Sequence, residues 1–160
     1  MIRILKISAA IVIGLIGTLA FVNNLLNLEG AHGAVSVVIS APEQPYYKVI
    51  GPTFSSAWQA WFCLAVIMAG ELTTGILGFI GAGRMIAARP ESEREFQISK
   101  SFAIAGGMLG ALVWYGMFIV MGELYFNMWQ TEVGLGSAAG AFRYGTVCAV
   151  MAILIAMRED

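Results

Sequence analysis

Four long apolar runs alternate with polar connectors along the chain, and each run is long enough to be read as a helix that crosses a bilayer. The expected spans cover residues 4–26, 57–86, 97–122 and 139–157. In the second run, Trp58 to Arg84 covers roughly 39 Å at the rise of an α-helix, a hydrocarbon core plus its interfaces. The pattern predicts an all-α membrane protein: a four-helix transmembrane bundle, residues 1–160 as one domain, with one longer outer loop between helices 1 and 2.

The connectors support this division. Residues 27–56 bring Glu29, His32, Glu43 and Lys48 together with Pro42, Pro45 and Pro52, which break any long helix. Within them Val35 to Ile39 is a short β-branched run, which fits either a single strand or a short amphipathic helix on the membrane surface. Residues 87–95 are the most charged stretch and read as a hairpin in water, with Pro90 ending the second helix. Residues 123–139 form the last connector, with Trp129 and a run from Gly134 that reads as flexible. The start, with Arg3 and Lys6 before an apolar run and Thr18-Leu19-Ala20 within it, also has the form of a secretory signal. It is read here as a retained first span.

Composition changes the picture only by exclusion. The chain is 59% hydrophobic and 12% charged, against roughly 25% charged residues in a soluble domain. A formal net charge of -1 leaves no basic stripe for nucleic acid. Two cysteines inside apolar runs are too few for a disulfide scaffold, and one histidine excludes bis-histidine haem within one copy. No cofactor is expected.

The distribution of charge predicts orientation. Arg3, Lys6, Arg84, Arg89, Arg94, Lys100 and Arg158 lie on one side and only Lys48 and Arg143 on the other. Cytoplasmic loops carry the excess of basic residues, so both termini are expected in the cytoplasm. Small residues mark where helices approach: Gly14 and Gly17 in the first run, Gly70 and Gly78 in the second, and Gly106 with Gly110 in the third.

Several residues carry a resemblance. These are Asn23-Asn24, His32, Glu71, Gly122-Glu123, Met128-Trp129-Gln130 and Ala141-Phe142-Arg143. On them, and over nearly its whole length, the chain resembles the bacterial "predicted small integral membrane protein" family of four-helix proteins. It departs from that pattern at Ser40-Ala41-Pro42-Glu43, where Met-Asp-Thr-Thr is expected, and at Val133-Gly134-Leu135, where Trp-Asn-Gly is expected. The resemblance implies four spans in a bacterial inner membrane and assigns no activity.

Candidate chemistry centres on Glu71, with Thr74 beside it. A charged side chain near the bilayer centre costs at least about 2.5 kcal/mol, so this carboxylate needs a proton, a partner or a polar cavity. It is expected to face protein and to be uncharged, either as a bond to a neighbouring helix or as a station in a proton or ion path. A path needs a relay, and the helices offer only Thr18, Thr73, Thr74 and Thr146 beside it. His32 next to Glu29 falls short of a metal site. Glu123 and Arg143 are expected to pair at the outer ends of helices 3 and 4. A Cys63–Cys148 disulfide requires helices 2 and 4 to touch at equal depth; otherwise both are small apolar side chains. With no nucleophile, metal cluster or phosphate loop, no enzyme is expected. Two classes remain: a non-catalytic accessory or assembly subunit of a larger membrane complex, or a small carrier or channel using Glu71. Its partners are then the lipid bilayer and other transmembrane helices, in a larger complex or a homo-oligomer.

Overall fold

A computed structural model describes residues 1–42 and 44–158. These form helices α1 (Ile2–Leu26), α2 (Leu28–Ser40), α3 (Ala57–Ala87), α4 (Glu93–Ser99), α5 (Ser101–Ala111) and α6 (Glu132–Ala156). A π-helical stretch, Leu112–Tyr125, continues α5, and a single 3-10 turn, Met128–Gln130, precedes α6. There is no strand among the described residues. Four helices are long and apolar enough to cross a membrane: α1, α3, the run Glu93–Tyr125, and α6. The architecture is an all-helical transmembrane bundle.

Glycine decides how closely the helices approach. In the bilayer, helix association rests on van der Waals packing and on small residues that let backbones meet. Antiparallel α1 and α3 meet at Gly14 and Gly17 on one side and Gly75 and Gly78 on the other. A Cβ on Gly78 would lie against the backbone nitrogen of Gly14, and one on Gly17 against that of Gly75. α3 meets α5 on its other face, where a Cβ on Gly106 would come within 3.0 Å of Gly78 N and a Cβ on Gly81 would strike the backbone of Ala103. α3 is therefore the central helix, held between α1 and α5.

The end of the bundle that carries both termini is knotted by cations. Arg3 donates to the carbonyls of Arg89 and Glu91, each at 2.7 Å, and its guanidinium lies 4.7 Å over the ring of Phe96. Lys6 and Lys100, both buried, donate to the carbonyl of Met157 just past the end of α6, Lys100 at 3.0 Å. Cations at a helix C-terminus complement its exposed carbonyls and dipole. Beneath them Ile13, Met85, Phe96 and Ile155 are fully buried.

At the opposite end, which carries the two longer connectors, the structure resolves the choice left open by the sequence. The 35–39 run is helical, as part of α2, because Val35, Val38 and Ile39 pack on Ala60 and Phe126. Asn27 alone interrupts α1 and α2. The segment after α2 is stitched to the last connector. Gln130 Oε1 accepts from the amides of Tyr46 and Tyr47 at 2.9 and 3.0 Å, while its Nε2 donates to Tyr47 O at 2.8 Å. Asn127 Nδ2 donates to Lys48 O at 3.0 Å, and Gln44 donates to the carbonyl of Phe126.

The fourth span begins seven residues earlier than its composition suggests, at Glu132 rather than 139. Thr131 caps it, accepting from the amide of Gly134 at 3.0 Å. Gly134 is packed against the backbone of Met128 and leaves no room for a side chain. A glycine-rich start that reads as a flexible linker in water is thus a packed first helical turn here.

Candidate functional site

Glu71 lies fourteen residues into α3 and is 2% exposed. The close α1–α3 register, Gly17 on Gly75 and Gly14 on Gly78, brings the last turn of α1 alongside it. There Asn24 Nδ2 donates to both carboxylate oxygens, at 3.1 and 2.9 Å. From Lys6, Asn24 is eighteen residues, or about 27 Å, along α1. The pair therefore sits in the loop-side part of a roughly 30 Å core rather than at its midplane. The reason is that α3 has thirty-one residues to the twenty-five of α1 and overhangs it at the loop side.

The carboxylate borders a cavity of about 610 Å³ between α1 and α6. Leu15, Leu19 and Asn23 line it from α1, Trp114 and Phe118 from the π-helical stretch, and Tyr144 from α6. Gly136 and Gly140 form its rim on α6, and Trp114 and Tyr144 stack obliquely with ring centres 5.8 Å apart. The π-helical winding, with its wider turn, occurs where the third span meets this cavity, a common setting for π turns.

Thr74 does not join the site. Fully buried, it turns toward α5, its methyl 3.0 Å from where a Cβ on Gly110 would stand, and its hydroxyl has no hydrogen-bond partner among the described residues. Thr73 bonds back to Ala69 O at 2.7 Å, and Thr146 bonds to Tyr115 at 2.7 Å. Among the described residues no threonine hydroxyl is hydrogen-bonded to Glu71, whose side-chain partner is Asn24. Gly70 packs on Val113, and Gly110 sits between Cys148, Thr74 and Trp114. Both cysteines are free: Cys148 is buried against Gly110, and Cys63 faces a small cavity of about 130 Å³ beneath α2. His32 stacks on Trp61 with ring centres 4.1 Å apart, and no group of three or more metal-ligating side chains occurs among the described residues.

The expected Glu123–Arg143 pair needs correction. No ion pair or hydrogen bond joins the two among the described residues: Glu123 is half-buried near the end of the π-helical stretch, and Arg143 is exposed. The early start of α6 explains it, because Arg143 now lies eleven residues, about 16 Å, inside the helix instead of close to its end. On the other side, sequence reasoning did not connect Asn24 with Glu71. The signal was present in the two glycine pairs, which fix the register that sets the end of α1 beside Glu71.

Residues 2–158 match the family model described as "Predicted small integral membrane protein (DUF2165)". The chain belongs to this family. No curated protein and no solved structure matches it. Residues from which the likeness was legible have structural roles in this family member: Asn24 holds Glu71, Gln130 holds the long connector, and Gly122 packs against the Met128 side chain.

Proposed function

We propose that this integral membrane protein is a non-catalytic accessory or assembly subunit of a larger bacterial inner-membrane complex, with both termini cytoplasmic. The observation that carries this reading is Arg143. α6 buries Gly134, Ala138, Ala141, Gly145, Cys148, Ala152 and Ile155. At 100° per residue these lie on one side, and Arg143 points directly away from them, between Gly136 and Val150 on the outer face. It is about 16 Å from Glu132 and about 21 Å from Met157 along the axis. A cation at such depth costs about 2.5–3.5 kcal/mol against lipid alone. Gly136 has open space above it, and Gly140 has only Tyr144, 3.8 Å from a Cβ placed there. A face with a cation and two uncovered glycines suits a foreign transmembrane helix that brings a carboxylate.

Purification in mild detergent tests the reading. A stoichiometric larger complex is expected with the wild type, and Arg143→Leu is expected to release the partner while the bundle itself stays folded. A wild type that purifies alone, or a complex indifferent to Arg143→Leu, overturns it. The second reading, a small proton or ion carrier working through Glu71, draws on the cavity beside that carboxylate. Proton or ion flux through the purified protein in liposomes, lost in Glu71→Gln, would favour it over the first.

The orientation has its own test. With Cys63→Ala and Cys148→Ala as background, an impermeant maleimide applied to intact cells is expected to label Tyr46→Cys and to spare Glu91→Cys. Tyr46 is 79% exposed at the loop end, and Glu91 lies in the basic hairpin at the other. The reverse pattern would put the termini outside.

A further inference from the structure

The geometry points to the cavity between α1 and α6 as a binding site for a lipophilic amine, whose ammonium group meets Glu71 and whose apolar part lies along Leu19, Phe118 and Tyr144. This inference does not depend on the accessory-subunit reading, which is carried by Arg143 on the outer face of α6, next to the cavity rim at Gly136 and Gly140.

Three observations identify the occupant. The first is charge. A carboxylate has about four acceptor positions, and the single amide of Asn24 fills two of them. The cavity walls include no Lys, Arg or His. A cationic donor therefore finds acceptor positions for which no other cation in the wall competes, whereas an anion finds no cation to pair with. A bare metal ion is poorly served, since one carboxylate and amide oxygens give too few ligands to replace its water.

The second is the wall itself. Apart from Asn23, Asn24, Ser137 and Glu71, the lining is aliphatic, aromatic or glycine. Trp114, Phe118 and Tyr144 make the wall aromatic, and aromatic rings attract a cation more strongly where water is excluded. A volume of about 610 Å³ falls within the range of small-molecule sites. A polar solute would lose its hydration against this wall without recovering the bonds, so the remainder of the ligand is apolar.

The third is access. Leu15, Leu19 and Tyr144 are each both lining and exposed, at 44%, 61% and 48%. They lie on the flank of the bundle, so the opening faces the bilayer. A ligand that partitions into lipid can enter sideways, head group toward the loop side, where amphiphile head groups lie.

The test uses the full chain in nanodiscs and radiolabelled decylamine as the probe, with empty nanodiscs subtracted. Saturable binding of one amine per chain is expected, displaced by unlabelled decylamine and not by decanoate. Glu71→Gln keeps the shape and an acceptor for Asn24 but cannot form an ion pair with the ammonium group, so affinity is expected to fall by at least about tenfold. Leu19→Trp, at an exposed lining position, is expected to fill the mouth and abolish binding with Glu71 intact. Absence of saturable binding above empty nanodiscs overturns the proposal. So does displacement by decanoate as strong as by decylamine, or a Leu19→Trp protein that is folded and binds as the wild type does. A Glu71→Gln protein with wild-type affinity overturns it as well.

Discussion

Gly78→Ala is expected to melt the bundle well below the wild type, although alanine is the better helix former. The added methyl would stand against the backbone nitrogen and Cα of Gly14, closer than the 3.0 Å that real Cβ atoms essentially never pass. A flexible side chain could move aside; the backbone of α1 cannot, because its own helical hydrogen bonds hold it. Overfilling a packed site costs about 1–3 kcal/mol and occasionally more, whereas the propensity gain of Gly→Ala is at most about 1 kcal/mol. Overpacking wins, and more so here because α5 presses on the same turn from the other side through Gly106. Gly83→Ala is the control: its Cβ meets no atom within 4 Å, so only the propensity term acts and stability should hold or rise slightly. Melting temperatures in detergent, read as the fraction of monodisperse protein after heating, decide between them. Equal melting of the two variants would mean that α1 and α3 do not touch at this turn.

The second large effect is expected at Gln130. Gln130→Ala removes two bonds accepted from Tyr46 and Tyr47 and one donated to Tyr47 O. Each is worth about 0.5–1.5 kcal/mol net, and all three act on one short stretch of chain, so their loss is felt locally. Amide exchange at Tyr46 and Tyr47 is expected to accelerate by about tenfold or more, and protease cuts in this segment should appear before any in α3. Gln130→Glu keeps the acceptor for the two amides and loses the donor, so an intermediate rate is expected. Unchanged exchange in Gln130→Ala would show that the connector is held by its apolar contacts, Val49 and Phe54 on Ile39 and Phe126, instead.

The four spans were legible because an apolar run bounded by charges obeys a rule of length that local sequence can carry. α3 matches expectation almost to the residue for this reason. α6 was misread at its start because glycine has opposite meanings in two solvents: Gly134, a breaker in a water-exposed loop, is here the only residue small enough to sit on Met128. That one misplacement of about 10 Å produced the expected Glu123–Arg143 pair. α2 could not be chosen over a strand from β-branched residues alone, since only contacts with Ala60 and Phe126, far along the chain, settle it. Glu71 was visible as an anomaly. Its partner was not, because Asn24 comes beside it through the packing of α1 on α3, forty-seven positions away in the chain.

The lysines at the terminal end bear on how the protein is made. Lys6 and its acceptor, the carbonyl of Met157, are separated by 151 positions. A ribosome adding about 5–20 residues per second therefore needs roughly 8–30 s between them. For that interval the first helix holds an ammonium group with its final acceptor still unmade. Lys100 reaches the same carbonyl and also donates to Gln97 Oε1, three residues before it in the chain, at 2.9 Å. The last helix to leave the ribosome thus carries a carbonyl that joins the first and third helices through their lysines, so this contact between three spans forms only at the end of synthesis.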